Sequence, residues 1–298
     1  MMIAPPAQSP SVPQPAAVPS GPTVALALGG GGARGLAHIH VVEVLDELGI
    51  RPVAIAGASI GAIMGAGMAS GMEGLAIRDF ALTTFGKRSE LASRLWRLRP
   101  HSLKEVLSPR GRFGQFDVER ILRCFLPDVI PDRFEELKTP LKIVVTDFYD
   151  QCERLCETGD LFTAIGASAA LPAIFRPVLR EGRVLIDGGI YNPVPFDHLQ
   201  GMADIVIGVD VVGGPAGEAG RIPSWMDAMF GASQLMMQSI IALKLKAGPP
   251  DIFLRPEVGR FGVMDFMRVE EILSATSAIR DELKFGLDAA IERKTRTI

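Results

Sequence analysis

The chain has 298 residues, 48% of them hydrophobic, enough for a sizeable core in one large α/β domain or two smaller ones. Its formal charge of -3 excludes the overall basic excess of a nucleic-acid binder, so no nucleic-acid partner is expected. Three cysteines, Cys124, Cys152 and Cys156, are a poor disulfide framework, and their spacing lacks the paired pattern of a zinc site, so reduced thiols in a cytoplasmic protein are expected.

Met1 to Thr23 contains no Lys or Arg and no long apolar run, which argues against a secretory signal. Its Pro, Ala and Ser content predicts a disordered tail over residues 1–22. No stretch approaches the ~20 uninterrupted apolar residues of a membrane-spanning helix. Order is expected from Val24, where five apolar residues predict a strand that runs into a glycine cluster. Leu36 to Leu48 carries apolar residues at helical spacing, with Gly49 placed to end the helix. Val53–Ala56 reads as a second strand and Ile60–Ser70 as a buried helix of small apolar residues. This alternation predicts an α/β fold with a mostly parallel sheet. Residues 86–140 show less regularity. Leu141–Asp147, Arg183–Asp187 and Ile205–Val212 read as strands, the last covered on both faces, and Leu161–Ala170 as a helix stopped before Pro172. Ser224–Lys246 and Met267–Lys294 read as helices, with a short strand between them at Asp251–Leu254. The organisation expected is a catalytic domain over 23–213 and a helical extension over 214–298 packed on it.

The cluster Gly29-Gly-Gly-Gly-Ala-Arg-Gly35 contains GxGxxG at Gly30, Gly32 and Gly35. Between a strand and a helix, such a loop aims backbone N–H groups at negative charge, whether a pyrophosphate or an oxyanion. A dinucleotide site also wants an acid about 20 residues on, at the end of the second strand. Here that strand ends in Ala56-Gly-Ala-Ser59, which disfavours the dinucleotide.

Gly57-Ala-Ser-Ile-Gly61 is GxSxG after a strand and before a helix, the setting of a nucleophile elbow. The bland alternative is a glycine-rich turn for close packing, which Gly61 and Gly65 could serve alone. A serine nucleophile needs a base. The histidines are His38, His40, His101 and His198, and no usual Ser–Asp–His order falls out, although His198 stays open. Asp187 ends an apolar strand and leads into Gly188-Gly189, small residues that would let a carboxylate approach. An ordinary Asp-Gly turn would look the same.

Gly30-Gly-Gly-Ala-Arg-Gly35, Gly57-Ala-Ser-Ile-Gly61 and Asp187-Gly-Gly189, in this order, resemble the patatin-like phospholipases, and within them the bacterial members allied with the neuropathy target esterase catalytic domain. Ala167-Ser-Ala-Ala-Leu-Pro172 also fits that group. The resemblance implies a three-layer fold with a parallel sheet flanked by helices and no metal or cofactor. It implies a Ser–Asp dyad without histidine, with Ser59 as nucleophile and Asp187 as base. The glycine loop becomes an oxyanion hole formed by Gly30, Gly31 and Gly32 and braced by Arg34. One departure stands out: the family's first helix usually begins Ala-His-Ile-Gly, and here His40 replaces that glycine.

The expected function is therefore a serine acyl hydrolase of lipid esters acting through an acyl-enzyme. The alternative is a non-catalytic lipid-binding or regulatory protein on the same fold. The mixed Lys, Arg, Leu and Trp content of residues 86–104 leaves peripheral membrane contact open, against an ordinary solvated basic helix. The Met-rich helix after Ser224 is expected to pack on the core or on another subunit rather than to line an acyl pocket.

Overall fold

The computed structural model describes residues 21–86, 117–215, 217, 220 and 222–296. Most of the expected tail, and the basic segment beyond Gly86, lie outside the described residues.

One sheet of eight strands organises the chain: β1 (Val24–Leu28), β2 (Ala54–Ala58), β3 (Leu141–Asp147), β4 (Cys152–Cys156), β5 (Val178–Arg180), β6 (Arg183–Asp187), β7 (Ile205–Val209) and β8 (Ile252–Leu254). β1 is central, parallel to β2 on one side and β7 on the other, with β3 and β8 parallel beyond them. β4 and β6 run antiparallel to β3, and β5 antiparallel to β6. The helices are α1 (His38–Glu47), α2 (Ile60–Ala69), α3 (Gly74–Gly86), α4 (Val118–Phe125), α5 (Leu161–Ser168), α6 (Trp225–Ala247), α7 (Val269–Ala275) and α8 (Ile279–Thr295).

The strand sequences decide how the two faces are covered. Successive side chains alternate between faces. In β1 this sends Val24, Leu26 and Leu28 one way and Ala25 and Ala27 the other; β2 sends Ile55 one way and Ala54 and Ala56 the other. The large residues meet a thick helical layer that includes Leu36, Ile39 and Leu45 of the α1 region, Met64 of α2, Ile165 of α5 and Leu283 of α8. The alanine face carries a thinner cover: Val194, Phe196 and Leu199 of a short turn, and Ile241 of α6.

β3 has an arrangement on which the site depends. Val144 pairs with both Ala58 and Leu155, and Val145 with both Asp187 and Arg154. A strand residue has only two edges, so β4 takes one and β2 and β6 share the other in succession. β2 runs with β3 and β6 against it. Their carboxyl ends therefore face one another across the Val144–Val145 step.

Several expectations are revised. The single helix expected over Met267–Lys294 is two, α7 and α8, broken where the Thr276 hydroxyl turns back to the Ile272 carbonyl at 2.7 Å. α6 packs on the alanine face through Ile241, with Met237 and Leu245 partly buried beside it, and leaves Trp225, Met236 and Leu243 exposed. α3, α4, β4 and β5 lay in stretches read as irregular or left unassigned. Among the described residues no helix is long and apolar enough to cross a membrane. Cys124, Cys152 and Cys156 form no disulfide among the described residues.

α1 ends as its glycine predicts: Gly49 takes a φ of 67°, its N–H bonds to Asp46 O, and Ile50 N–H bonds to Leu45 O. His40, where the family resemblance calls for glycine, is accommodated rather than squeezed. Its ring is buried, Nε2 meets the Leu273 carbonyl at 2.8 Å, and Nδ1 faces Arg78 at 3.3 Å. Burial pushes its pKa down, so at neutral pH the ring is uncharged and Nε2–H donates. It ties α1 to the end of α7 beside Glu43, which holds Arg78 and Arg280.

Two substitutions test this packing. A Cβ on Gly61 would sit 2.0 Å from the Leu28 carbonyl oxygen, so Gly61→Ala is expected to lose about 3 kcal/mol in urea unfolding. His40→Ala strands the Leu273 carbonyl and is expected to cost about 2 kcal/mol in the same measurement.

Candidate active site

The site forms where three chain segments leave the sheet. Beyond β2, Ser59 adopts φ 54° and ψ -123°, a backbone conformation that side chains other than glycine rarely hold. The strain turns Ser59 Oγ out of the strand line, and α2 starts at the next residue. Beyond β6, Asp187 lies on the same edge of β3. Ser59 Oγ donates to Asp187 Oδ2 at 2.6 Å. The second carboxylate oxygen, Oδ1, accepts the Gly189 N–H at 2.7 Å, and the Asp187 carbonyl accepts from the Thr146 hydroxyl at 2.9 Å. Gly188 is required by close approach, since a Cβ there would lie 2.0 Å from the Val144 carbonyl oxygen.

Asp187 is 2% exposed. Burial pushes its pKa up to about 6, against the hydrogen bonds from Ser59 and Gly189, which pull it down. The carboxylate is thus a stronger base than a free aspartate and remains ionised at neutral pH. His198, left open as a base, points elsewhere: its Nε2 lies 3.2 Å from Glu153. Among the described residues no histidine is bonded to Ser59 or Asp187. His101 lies outside them.

The glycine loop follows β1. The Gly29 and Gly30 N–H groups bond to the Val209 and Pro193 carbonyls, each at 2.9 Å. Gly30 therefore offers no free donor, which corrects its expected place in an oxyanion hole. Its part is clearance: a Cβ there would press on Ser59 Cβ at 3.3 Å. The Gly31 and Gly32 N–H groups have no acceptor among the described residues. Gly35 and Gly57 likewise leave room, the first for Ile60 and the second for the Gly61 carbonyl.

Arg34 is buried and holds the loop from behind. Its Nε donates to the Gly31 carbonyl at 3.2 Å and its Nη1 to the Val212 carbonyl. Burial lowers its pKa to about 10 while Asp210 and Asp265 oppose the fall, so the guanidinium stays charged. His38 supports the other end, with Nε2 2.9 Å from the Gly29 carbonyl, and burial lowers its pKa to about 4. A neutral ring must donate there, which fixes its tautomer.

Two residues gain partners that the sequence did not announce. Ser168, inside the Ala167–Pro172 motif, accepts the Ser59 N–H at 2.8 Å and donates to the Val144 carbonyl at 2.7 Å. Asn192 is buried and donates to Glu153 and Asp197, while Lys244 of α6 bonds to Asn192 and Asp197. Glu153, Asp197 and His198 come close enough to suggest a cation site, but the Lys244 ammonium already occupies that cluster. An open groove of about 680 Å³ lies away from the dyad, between α1, α3, α7 and α8, and is lined by His40, Glu43, Arg78, Ser274 and Arg280 among others.

Among the described residues, a strand–turn–helix serine bonded to a buried carboxylate thus lies beside two loop amides without acceptors. The sequence over residues 26–199 matches the family model described as patatin-like phospholipase, and the chain belongs to that family. It is 36% identical over 214 residues to an uncharacterized NTE family protein of Mycobacterium tuberculosis, a match covering 70% of this chain and 55% of that protein. The chain thus spans about half the length of such relatives. Patatin-like phospholipase domain-containing protein 6 of Homo sapiens is 28% identical over 292 residues, 86% of this chain and 20% of that one. The lysophospholipase NTE1 of Kluyveromyces lactis is 27% identical over 285 residues, 85% of this chain and 18% of its own. Among solved structures, VipD from Legionella pneumophila superposes with a TM-score of 0.53 at 15% identity, covering 91% of this chain and 67% of VipD, a likeness of fold.

Arg34→Met keeps the bulk of that side chain and removes its bonds to the loop. Amide hydrogen exchange over residues 29–37 is expected to quicken, and the thermal midpoint to fall, because Asp210 and Asp265 lose a buried counter-charge.

Proposed function

We propose that the chain is a serine acyl hydrolase of lipid esters, with Ser59 as nucleophile and Asp187 as its base. The observation that carries this reading is the 2.6 Å bond from the strained Ser59 hydroxyl to a carboxylate that burial has made more basic. Family membership and relatives named phospholipase and lysophospholipase support the substrate class.

Asp187 takes the proton as Ser59 Oγ attacks the ester carbonyl. The oxyanion that forms accepts the Gly31 and Gly32 N–H groups, worth about 3 kcal/mol for each well-placed donor. The Asp187 proton passes to the departing alcohol or lysolipid, leaving an acyl group on Ser59. Water then gives its proton to Asp187, attacks the acyl carbon and releases a fatty acid, and the proton returns to Ser59.

Ser59→Ala and Asp187→Asn are each expected to abolish release of p-nitrophenol from p-nitrophenyl butyrate and of fatty acid from a panel of phospholipids, lysophospholipids and acylglycerols. Retention of the wild-type rate by folded Ser59→Ala would sink the proposal.

The pH dependence follows from the sign of the Asp187 shift. Its carboxyl protonates as pH falls through about 6, so kcat/KM is expected to drop below that point. Its folded-state pKa lies above the ordinary value of 3.8, so folding favours the protonated form and this contribution to stability is lost as pH rises from about 4 to about 6. Asp187→Asn, inactive, is therefore expected to melt higher than wild type at pH 7. An unchanged or lower midpoint would mean that the carboxylate is not held against its solvation.

A further inference from the structure

β2 and β3 form a regular parallel ladder up to the elbow. Ile55 N–H donates to the Pro140 carbonyl at 2.9 Å, and the register runs on through Ala58 opposite Val144. In a parallel ladder the same strand donates at every second residue, each bond advancing two residues on the partner. From Ile55 to Pro140 the series continues with Gly57 to Lys142 and then Ser59 to Val144. That last bond is not made directly. Ser168 Oγ lies between the two groups, accepting from Ser59 N–H at 2.8 Å and donating to the Val144 carbonyl at 2.7 Å. A side-chain oxygen from α5 is wedged into the ladder at the residue that carries the reactive hydroxyl.

The wedge acts on geometry. Direct pairing would hold the two backbones one hydrogen bond apart, about 2.9 Å between N and O. With an oxygen between them the groups bond through two links, and Ser59 is held off the edge of β3 where its chain must turn. Ser168 is fully buried and its hydroxyl has a defined donor and a defined acceptor. The edge that the wedge keeps open is the one β6 joins one residue later, bringing Asp187 opposite Val145.

We propose that Ser168 is a positioning residue for the nucleophile: its hydroxyl, substituted for the last ladder bond between β2 and β3, sets the separation at which the Ser59 hydroxyl meets Asp187. The inference rests on the reading of Ser59 as nucleophile and assigns a role that the dyad and the glycine loop do not include. Without the hydroxyl, either a buried N–H and C=O are left unpaired or the ladder closes and draws Ser59 toward β3. Both outcomes move Oγ relative to Asp187, and neither touches the substrate.

The test is a set of single variants assayed by steady-state hydrolysis of p-nitrophenyl butyrate across pH, each with a thermal unfolding scan. Ser168→Ala is expected to lower kcat by about ten-fold or more with little change in KM, since substrate contacts are intact. Its acid limb should also move to higher pH, because a weakened bond from Ser59 removes an influence that holds the Asp187 pKa down. Ser70→Ala is the control. Ser70 is also buried, and among the described residues its hydroxyl bonds to the Ala66 carbonyl alone, at 2.7 Å at the far end of α2. It is expected to lose stability but keep the wild-type kcat and acid limb. If Ser168→Ala does not fold, Ser168→Cys takes its place; a thiol is a weak donor and acceptor of longer reach, and the same shifts are expected at smaller size. A folded Ser168 variant with wild-type kcat and acid limb overturns the inference, as does an equal loss of kcat in Ser70→Ala. Ser59→Ala assayed alongside separates the two failures. If it stays active, the proposed function fails; if it is dead while the Ser168 variants match wild type, only the positioning role fails.

Discussion

The hydrogen bond between Ser59 and Asp187 exists because two strands share one edge of a third. β2 supplies that edge over the first half of β3 and β6 over the second. Strands meeting head to head along one ladder must both leave it at the junction, and the residues at which they leave are the serine and the aspartate. Neither could be shifted by one position without changing faces, because the side-chain period of a strand is two. The pairing register of β3 therefore sets the distance between a hydroxyl and a carboxylate 128 residues apart in sequence.

Around that junction the chain carries two locally unfavourable features. Ser59 holds an unfavourable backbone conformation and Asp187 holds charge away from water. The surroundings hold both in place with bonds that would be dispensable elsewhere: Thr146 on the aspartate carbonyl, Arg34 and His38 on either end of the glycine loop, and the alternation of large and small residues that seats the sheet between unequal layers. Most of these supports are buried polar groups with named partners, which is how such groups are tolerated in a core.

Much of this could be read from the sequence because the informative signals were local. The strands Val24–Leu28, Leu141–Asp147 and Arg183–Asp187 are apolar runs bounded by turns, and each has the limits expected. The glycine spacing around Ser59 and after Asp187 marks places where the backbone must pass close to another chain segment. What stayed hidden depended on partners distant in sequence. β4, Cys-Glu-Arg-Leu-Cys, alternates too weakly to announce itself and forms by pairing with β3. Gly30 resembles Gly31 and Gly32 in the sequence, and only Pro193 distinguishes it by taking its N–H. His40 looked like an intrusion until the Leu273 carbonyl, 233 residues on, gave it a partner. The apolar spacing of α6 marks a stripe but not its extent, and Ile241, Met237 and Leu245 are the part of it that meets the sheet.

The separation of Ser59 and Asp187 along the chain also has a consequence in time. During synthesis, β1, β2 and the glycine loop emerge long before β3, Ser168 and β6, so the serine is made while the groups that position and pair it are still unmade. Contacts that close so large a loop form late and together with the core around them. A nascent or truncated polypeptide ending before residue 187 carries a hydroxyl with no proton acceptor beside it. The hydroxyl–carboxylate pair is thus complete only once the strand that carries the aspartate has joined the sheet.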